Sequence, residues 1–138
     1  MISETIKYID YNGNEREDTF YFNLSKSEIW RLEIGEKGEF TKRIQAMSSE
    51  MDQSKIWNLF EEVVTMAVGK KSEDGRRFDK SPEAKAEFLE SEAYSEFLEM
   101  LLTGDHGKDP QFAEKFLNGL ISSASANTSN AANLQVVK

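Results

Sequence analysis

The side chains that could do chemistry in this 138-residue chain are one histidine, a set of clustered carboxylates and no cysteine at all. His106 sits in Gly104-Asp105-His106-Gly107-Lys108, a glycine-flanked loop with no apolar wall and no nucleophile beside it. That places it on the surface, with nothing to activate as a general base. Without cysteine there are no thiolate nucleophiles, disulfides or sulfur-ligated metals, which fits a reducing compartment. Gly69-Lys70-Lys71-Ser72 ends like a phosphate-binding loop, but Val64 and Thr65 stand where its first glycine would have to fall. A calcium loop centred on Gly75 fails too, because Lys70 replaces the first acidic ligand and Ser81 the bidentate glutamate. Glu92, Glu96 and Glu99 share one helical face with Glu61, Glu62 and Glu90 elsewhere, and paired carboxylates can serve acid–base chemistry. A solvated acidic face is the simpler reading. Two matches to the glycosylation sequon, at Asn23 and Asn127, mean nothing without secretion. No catalytic, cofactor-binding or metal-ligating residue is therefore assigned.

The elements that would carry these side chains follow from their periodicity. Ile6 to Tyr11 and Thr19 to Phe22 are β-branched and aromatic runs on either side of Asn12-Gly13. Such a pattern predicts a tight β-hairpin over about residues 4 to 23, with one aromatic face packed on helices. Ser25 followed by Glu28 has the form of a capping box, with Ile29, Leu32 and Trp30 as the apolar face of a first helix that Gly35 ends. Phe40, Ile44 and Met47 mark a second helical stretch. Asp52 opens a third, whose Ile56, Leu59, Phe60, Val63, Val64, Ala67 and Val68 make it the expected centre of the core, closed by Gly69. Lys71 to Phe78 then reads as a charged loop, with Phe78 tucked into the helical body as its anchor. Ser81-Pro82 starts another helix with Ala84, Phe88 and Leu89, and Ala93 to Leu102 supplies the next. Asp109-Pro110 restarts the chain into a last helix bearing Phe112, Phe116, Leu117 and Leu120.

The fold class expected is α+β: an N-terminal β-hairpin packed on a bundle of about five to six helices, with a flexible C-terminal tail. A chain of this length buries roughly two thirds of its unfolded surface, enough for a core of its own. Residues 1–121 form one domain in this reading, and 122–138, reduced to Ser, Ala and Asn before Leu134, Val136 and Val137, form the tail. The net charge of −8 argues against phosphate-neutralising contacts to nucleic acid. Met1 to Lys7 has no apolar leader segment, and the run from Ile56 to Val68 is too short and too charged to span a bilayer. A soluble cytoplasmic protein with no membrane partner is expected.

Several segments in a fixed order carry a family resemblance: Ile6-Lys7-Tyr8, Asp10-Tyr11-Asn12-Gly13, Phe20 to Lys26, Lys71 to Phe78, Glu92-Ala93-Tyr94-Ser95-Glu96 and Phe116-Leu117-Asn118-Gly119. Over roughly residues 4 to 121 the chain resembles the tail assembly chaperones of long-tailed bacteriophages, the small proteins encoded just ahead of the tape measure protein. The resemblance implies a non-enzymatic binder without cofactors, working in the host cell cytoplasm. Its implied partners are the tape measure protein, which it would keep soluble, and the tail tube protein, whose polymerisation it would assist; self-association is a further expectation. Such a chaperone is absent from the mature virion. The candidate partner-binding residues are Tyr8, Tyr11, Phe20, Phe22, Trp30, Phe78 and Tyr94. Two other readings stay open: an acidic phage inhibitor of a host defence or nucleic-acid enzyme, and a structural adaptor of the tail.

Overall fold

A β-hairpin forms the N-terminus of the computed structural model, which describes residues 1–35, Lys42 and residues 52–122. Strand β1 (Ile2–Ile9) pairs antiparallel with β2 (Glu15–Phe22), from Ile2 opposite Phe22 to Ile9 opposite Glu15. The connection is a five-residue loop, residues 10–14, wider than the two-residue turn expected at Asn12-Gly13. The reason is Asp10. One carboxylate oxygen accepts the N–H groups of Asn12 and Asn14 at 2.9 and 3.0 Å, and the other accepts Arg16 Nε at 2.7 Å. This side-chain mimic of a turn leaves Gly13 to supply the one left-handed residue, at φ 81°.

Alternation along the hairpin gives it two unlike faces. Ile2, Ile6, Tyr8, Phe20 and Phe22 pack on the helices, while Ser3, Thr5, Lys7 and Thr19 are exposed on the other side. The aromatic face thus packs as expected, and Phe22 is its centre. Its ring stacks on Phe97 at 5.0 Å and meets Phe88 and Phe116 edge-on at 5.5 and 5.3 Å. Offset and edge contacts of this kind add about 0.5–1.5 kcal/mol each beyond the area they bury.

The helices start where the capping signals put them. In α1 (Lys26–Gly35) the box closes in both directions: Ser25 N–H donates to Glu28 Oε1 at 2.9 Å, and Glu28 N–H to Ser25 Oγ at 3.2 Å. Asp52 caps α2 (Gln53–Ala67) by accepting Ser54 N–H. Ser81 caps α3 (Pro82–Leu89) by accepting Ala84 N–H, with Pro82 in the first turn. Then come α4 (Glu92–Thr103) and α5, residues 112–122. Leu59, Phe60, Val63, Val64 and Ala67 of α2 are buried, so this helix is central to the core as its pattern implied. The stretch expected around Phe40, Ile44 and Met47 lies outside the described residues, as does the tail beyond Ser122, itself still helical.

Two expectations are corrected between α2 and α3. Gly69 does not close α2; Ala67 is its last residue, and Val68 already has extended backbone (φ −69°, ψ 142°). Val68–Lys71 is a third strand, β3, with Gly69 opposite Tyr21 and Val68 opposite Phe22. The charged loop is the tip of a second hairpin, returning through β4 (Phe78–Asp79) to give the sheet order β1-β2-β3-β4. Its six residues, 72–77, are held by Ser72 and Asp74, whose side chains accept the N–H groups of Arg77 and Arg76. Phe78 is half-buried in β4 and does not reach the helical core. Gly69 lies under its ring, where a Cβ would come within 2.6 Å of Phe78 Cε2.

The end of α2 needs partners for its last carbonyls, and a lysine on another helix supplies them. Lys85 Nζ donates to the carbonyls of Thr65, Met66 and Val68 at 2.6, 3.0 and 3.0 Å. Burial, and then the charge of Lys80, hold its ammonium below the usual lysine range, with Glu28 opposing them.

Candidate functional site

The seven aromatic residues expected to meet a partner are divided by the strand and helix faces they occupy. Phe22 is corrected outright: it is fully buried, because the inward register that aligns it with Val68 also places it among Phe88, Phe97 and Phe116. Phe20, one inward position away, is half-buried with its ring 4.8 Å from that of Phe88. Tyr8 is half-buried and its hydroxyl donates to Asp18, the acceptor that most raises its pKa. Tyr94 packs its ring 5.7 Å from Phe88, and burial pushes its hydroxyl pKa up. Phe78 covers Gly69, with Lys80 Nζ 5.7 Å from the ring centre.

Tyr11 and Trp30 are left in the open, 75% and 60% exposed. Tyr11 stands at the hairpin tip, where its hydroxyl lies 3.4 Å from the carbonyl of Glu90. Trp30 is on the outer side of α1, opposite Ile29 and Leu32, which pack on the core. The expected three-residue apolar face of α1 is therefore two faces. One turn on from Trp30, Ile34 is 72% exposed and continues the outer stripe. Ile34, Ile9 and Leu102 are exposed apolar residues that the aromatic inventory passed over. The i, i+4 spacing from Trp30 was the signal available for Ile34.

Two surface depressions result. One, of about 670 Å³, runs along α1 between Lys26, Ser27, Trp30, Arg31 and Ile34. The other, of about 610 Å³, lies between the loop end of β1 and β2 and the start of α4. Tyr8 and Ile9 form its apolar part and Glu15, Glu17, Glu92 and Glu96 its acidic part. Glu92 and Glu96 thus line a surface shared with the hairpin, which the spacing of carboxylates on one helix did not reveal. His106 is exposed in the turn after α4, as its glycine-flanked setting implied. Among the described residues no group of His, Cys, Asp and Glu could hold a metal ion, and no helix is long and apolar enough to cross a membrane.

Binding through exposed aromatic and aliphatic side chains on an acidic body is the chemistry these surfaces offer. No curated protein and no solved structure matches the chain. A family model described as phage tail assembly chaperone does match, over residues 1–134.

Proposed function

The chain belongs to the phage tail assembly chaperone family, and from that premise we propose that it binds the tape measure protein and keeps it soluble. Family membership over nearly the whole length is the observation that carries this reading, and it implies partners among the phage tail proteins. The chain works in the host cytoplasm as a binder without a catalytic step, assists the tube subunits to polymerise, and is absent from the finished tail. Residues 1–121 carry the binding work. Trp30, Ile34 and Tyr11 support it physically, since large apolar groups left in water gain most by meeting an apolar partner.

Co-expression with the tape measure protein tests the proposal. The soluble fraction of the tape measure should rise, and the two chains should co-purify. An equally insoluble tape measure with no complex would overturn the reading, and finding the chain in purified mature tails would favour a structural adaptor.

A further inference from the structure

The sheet is open along part of β2. Strand β3 pairs with β2 only at Tyr21 and Phe22, then turns aside to pair with β4. On the side away from β1, no strand lies against Glu15 to Phe20 among the described residues. The ladder shows which backbone groups are left over. Asp10 N–H donates to the Asn14 carbonyl, and Asn23 N–H to the Ala67 carbonyl, at 2.9 Å each. Bonding alternates along an antiparallel strand, so Arg16, Asp18 and Phe20 bond to β1, whereas Glu17 and Thr19 turn their N–H and C=O groups to the open edge. Such an edge is a template for one more strand.

Beside this edge runs a groove of about 420 Å³, with Tyr8, Phe20 and Phe88 as its apolar lining and Lys70 and Lys71 on its β3 side. The groove's carboxylates are engaged: Asp18 accepts the Tyr8 hydroxyl, and Glu87 pairs with Lys70 at 2.5 Å. Lys71 and Arg77 are exposed, line an adjoining depression, and are in no ion pair among the described residues. Asp79, which shares that depression, accepts Ser81 N–H. In a chain of net charge −8, this corner presents uncompensated positive charge.

We infer that an extended, acidic segment of a partner protein adds to β2 as a further strand. Its backbone bonds to Glu17 and Thr19, an apolar side chain enters the Tyr8–Phe20–Phe88 groove, and its carboxylates meet Lys71 and Arg77. The backbone bonds give affinity, the groove selects the side chain, and the two cations select the sign of charge. A nucleic acid has no alternating row of N–H and C=O groups to match the edge. The inference concerns the chemistry of the occupant and stands whether or not the tape measure protein supplies it.

The probe is a labelled peptide with a valine–threonine–valine centre and glutamates at one end, made in both orders. Fluorescence anisotropy should show saturable binding of one or both, weakening as salt rises. Lys71→Glu with Arg77→Glu should weaken it roughly tenfold or more, because like charges then meet. Thr19→Pro removes an N–H that takes no part in the β1 ladder and should abolish binding. N-methylation of the peptide's central amides should do the same to the unaltered chain, which keeps the test decisive if the proline variant fails to fold. On binding, amide exchange should slow at Glu17 and Thr19 and stay unchanged at Asp18, already bonded to β1. Failure of both peptides to bind overturns the inference. So does equal binding of a peptide with lysines in place of the glutamates, or of an oligothymidylate. Binding that leaves the Glu17 and Thr19 amides unprotected would overturn it by placing the peptide elsewhere. Protection of those amides by rising concentration of the chain alone would also overturn it, giving the edge to a second copy.

Discussion

Lys80 and Glu28, 52 residues apart in the chain, are joined by a two-pronged ion pair, with Lys80 Nζ 2.5 and 2.6 Å from the two carboxylate oxygens. The same ammonium donates to the Asn23 carbonyl at 2.6 Å, and the same carboxylate accepts Ser25 N–H. One contact therefore ties the end of β2, the cap of α1 and the approach to α3. Both side chains are mostly shielded, 20% and 25% exposed, so water screens the pair only in part.

Removing either partner strands the other, so Lys80→Met is expected to cost about 1–3 kcal/mol, read as a lower melting temperature. Burial pushes the Glu28 carboxyl up, but hydrogen bonds from Lys80 and Ser25 outweigh it and the net shift is below 4.5. An acid whose folded pKa is depressed stabilises the fold above its unfolded value, and that stabilisation is lost as pH falls through the folded pKa. The gap in melting temperature between the unaltered chain and Lys80→Met should therefore be constant at neutral pH and shrink below about pH 4.5. A gap independent of pH would show that Lys80 acts through its carbonyl contact alone.

Gly69 is required by a close approach. A Cβ there would lie 2.5 Å from the Asp79 carbonyl oxygen and 2.6 Å from the Phe78 ring. Gly69→Ala should destabilise by about 1–3 kcal/mol, the usual range for overpacking. Phe78→Ala on its own should cost less than the roughly 3–5 kcal/mol of a core truncation such as Phe22→Ala. The double variant should not recover, because the clash with Asp79 is with backbone. Chemical denaturation of the four proteins checks this, and full rescue by Phe78→Ala would show that β4 can shift away.

Local signals were legible in the sequence and tertiary ones were not. The capping box at Ser25 and Glu28, the caps at Asp52 and Ser81, and the apolar stripe of α2 depend on residues within one or two turns of each other, and each is found as read. Strands β3 and β4 have only four and two residues, and Val68 continues the apolar run of α2. What makes Val68 a strand residue is pairing with Phe22, a contact no local window contains. The same blindness misplaced Phe22 and Phe78. Alternation shows that a strand has two faces, but not which of them a helix will cover.

Glu4 is an inward-facing, half-buried carboxylate on β1. Burial, and then the charge of Asp105, raise its pKa. An acid with a raised folded pKa weakens the fold wherever it is ionised, and the penalty fades as pH falls. Glu4→Gln should therefore stabilise the protein at pH 7 and give no advantage in acid. A destabilised variant at neutral pH would mean that the carboxylate makes a favourable contact.

The turn after α4 contains four successive residues with positive φ: Gly104 at 70°, Asp105 at 54°, His106 at 57° and Gly107 at 85°. Glycine takes such angles without strain, whereas each L-residue with a side chain gives up roughly 1–2 kcal/mol in the left-handed region. Hydrogen bonds hold Asp105 and His106 there. Asp105 N–H donates to the Met100 carbonyl at 2.7 Å, His106 N–H to Thr103 Oγ1 at 3.0 Å and Asp109 N–H to the Gly104 carbonyl at 2.8 Å. Gly104 cannot be replaced, since a Cβ would fall 2.6 Å from the Asp109 oxygen. His106→Gly should raise stability, by up to about 1 kcal/mol after the added freedom of the unfolded chain is subtracted. His106→Val, β-branched and poorly suited to positive φ, should lower it. Asp105→Gly should gain more than His106→Gly, because it also removes the charge facing Glu4. Melting temperatures for the three variants give the order Asp105→Gly, His106→Gly, unaltered chain, His106→Val, and equal values throughout would show that the turn relaxes in solution.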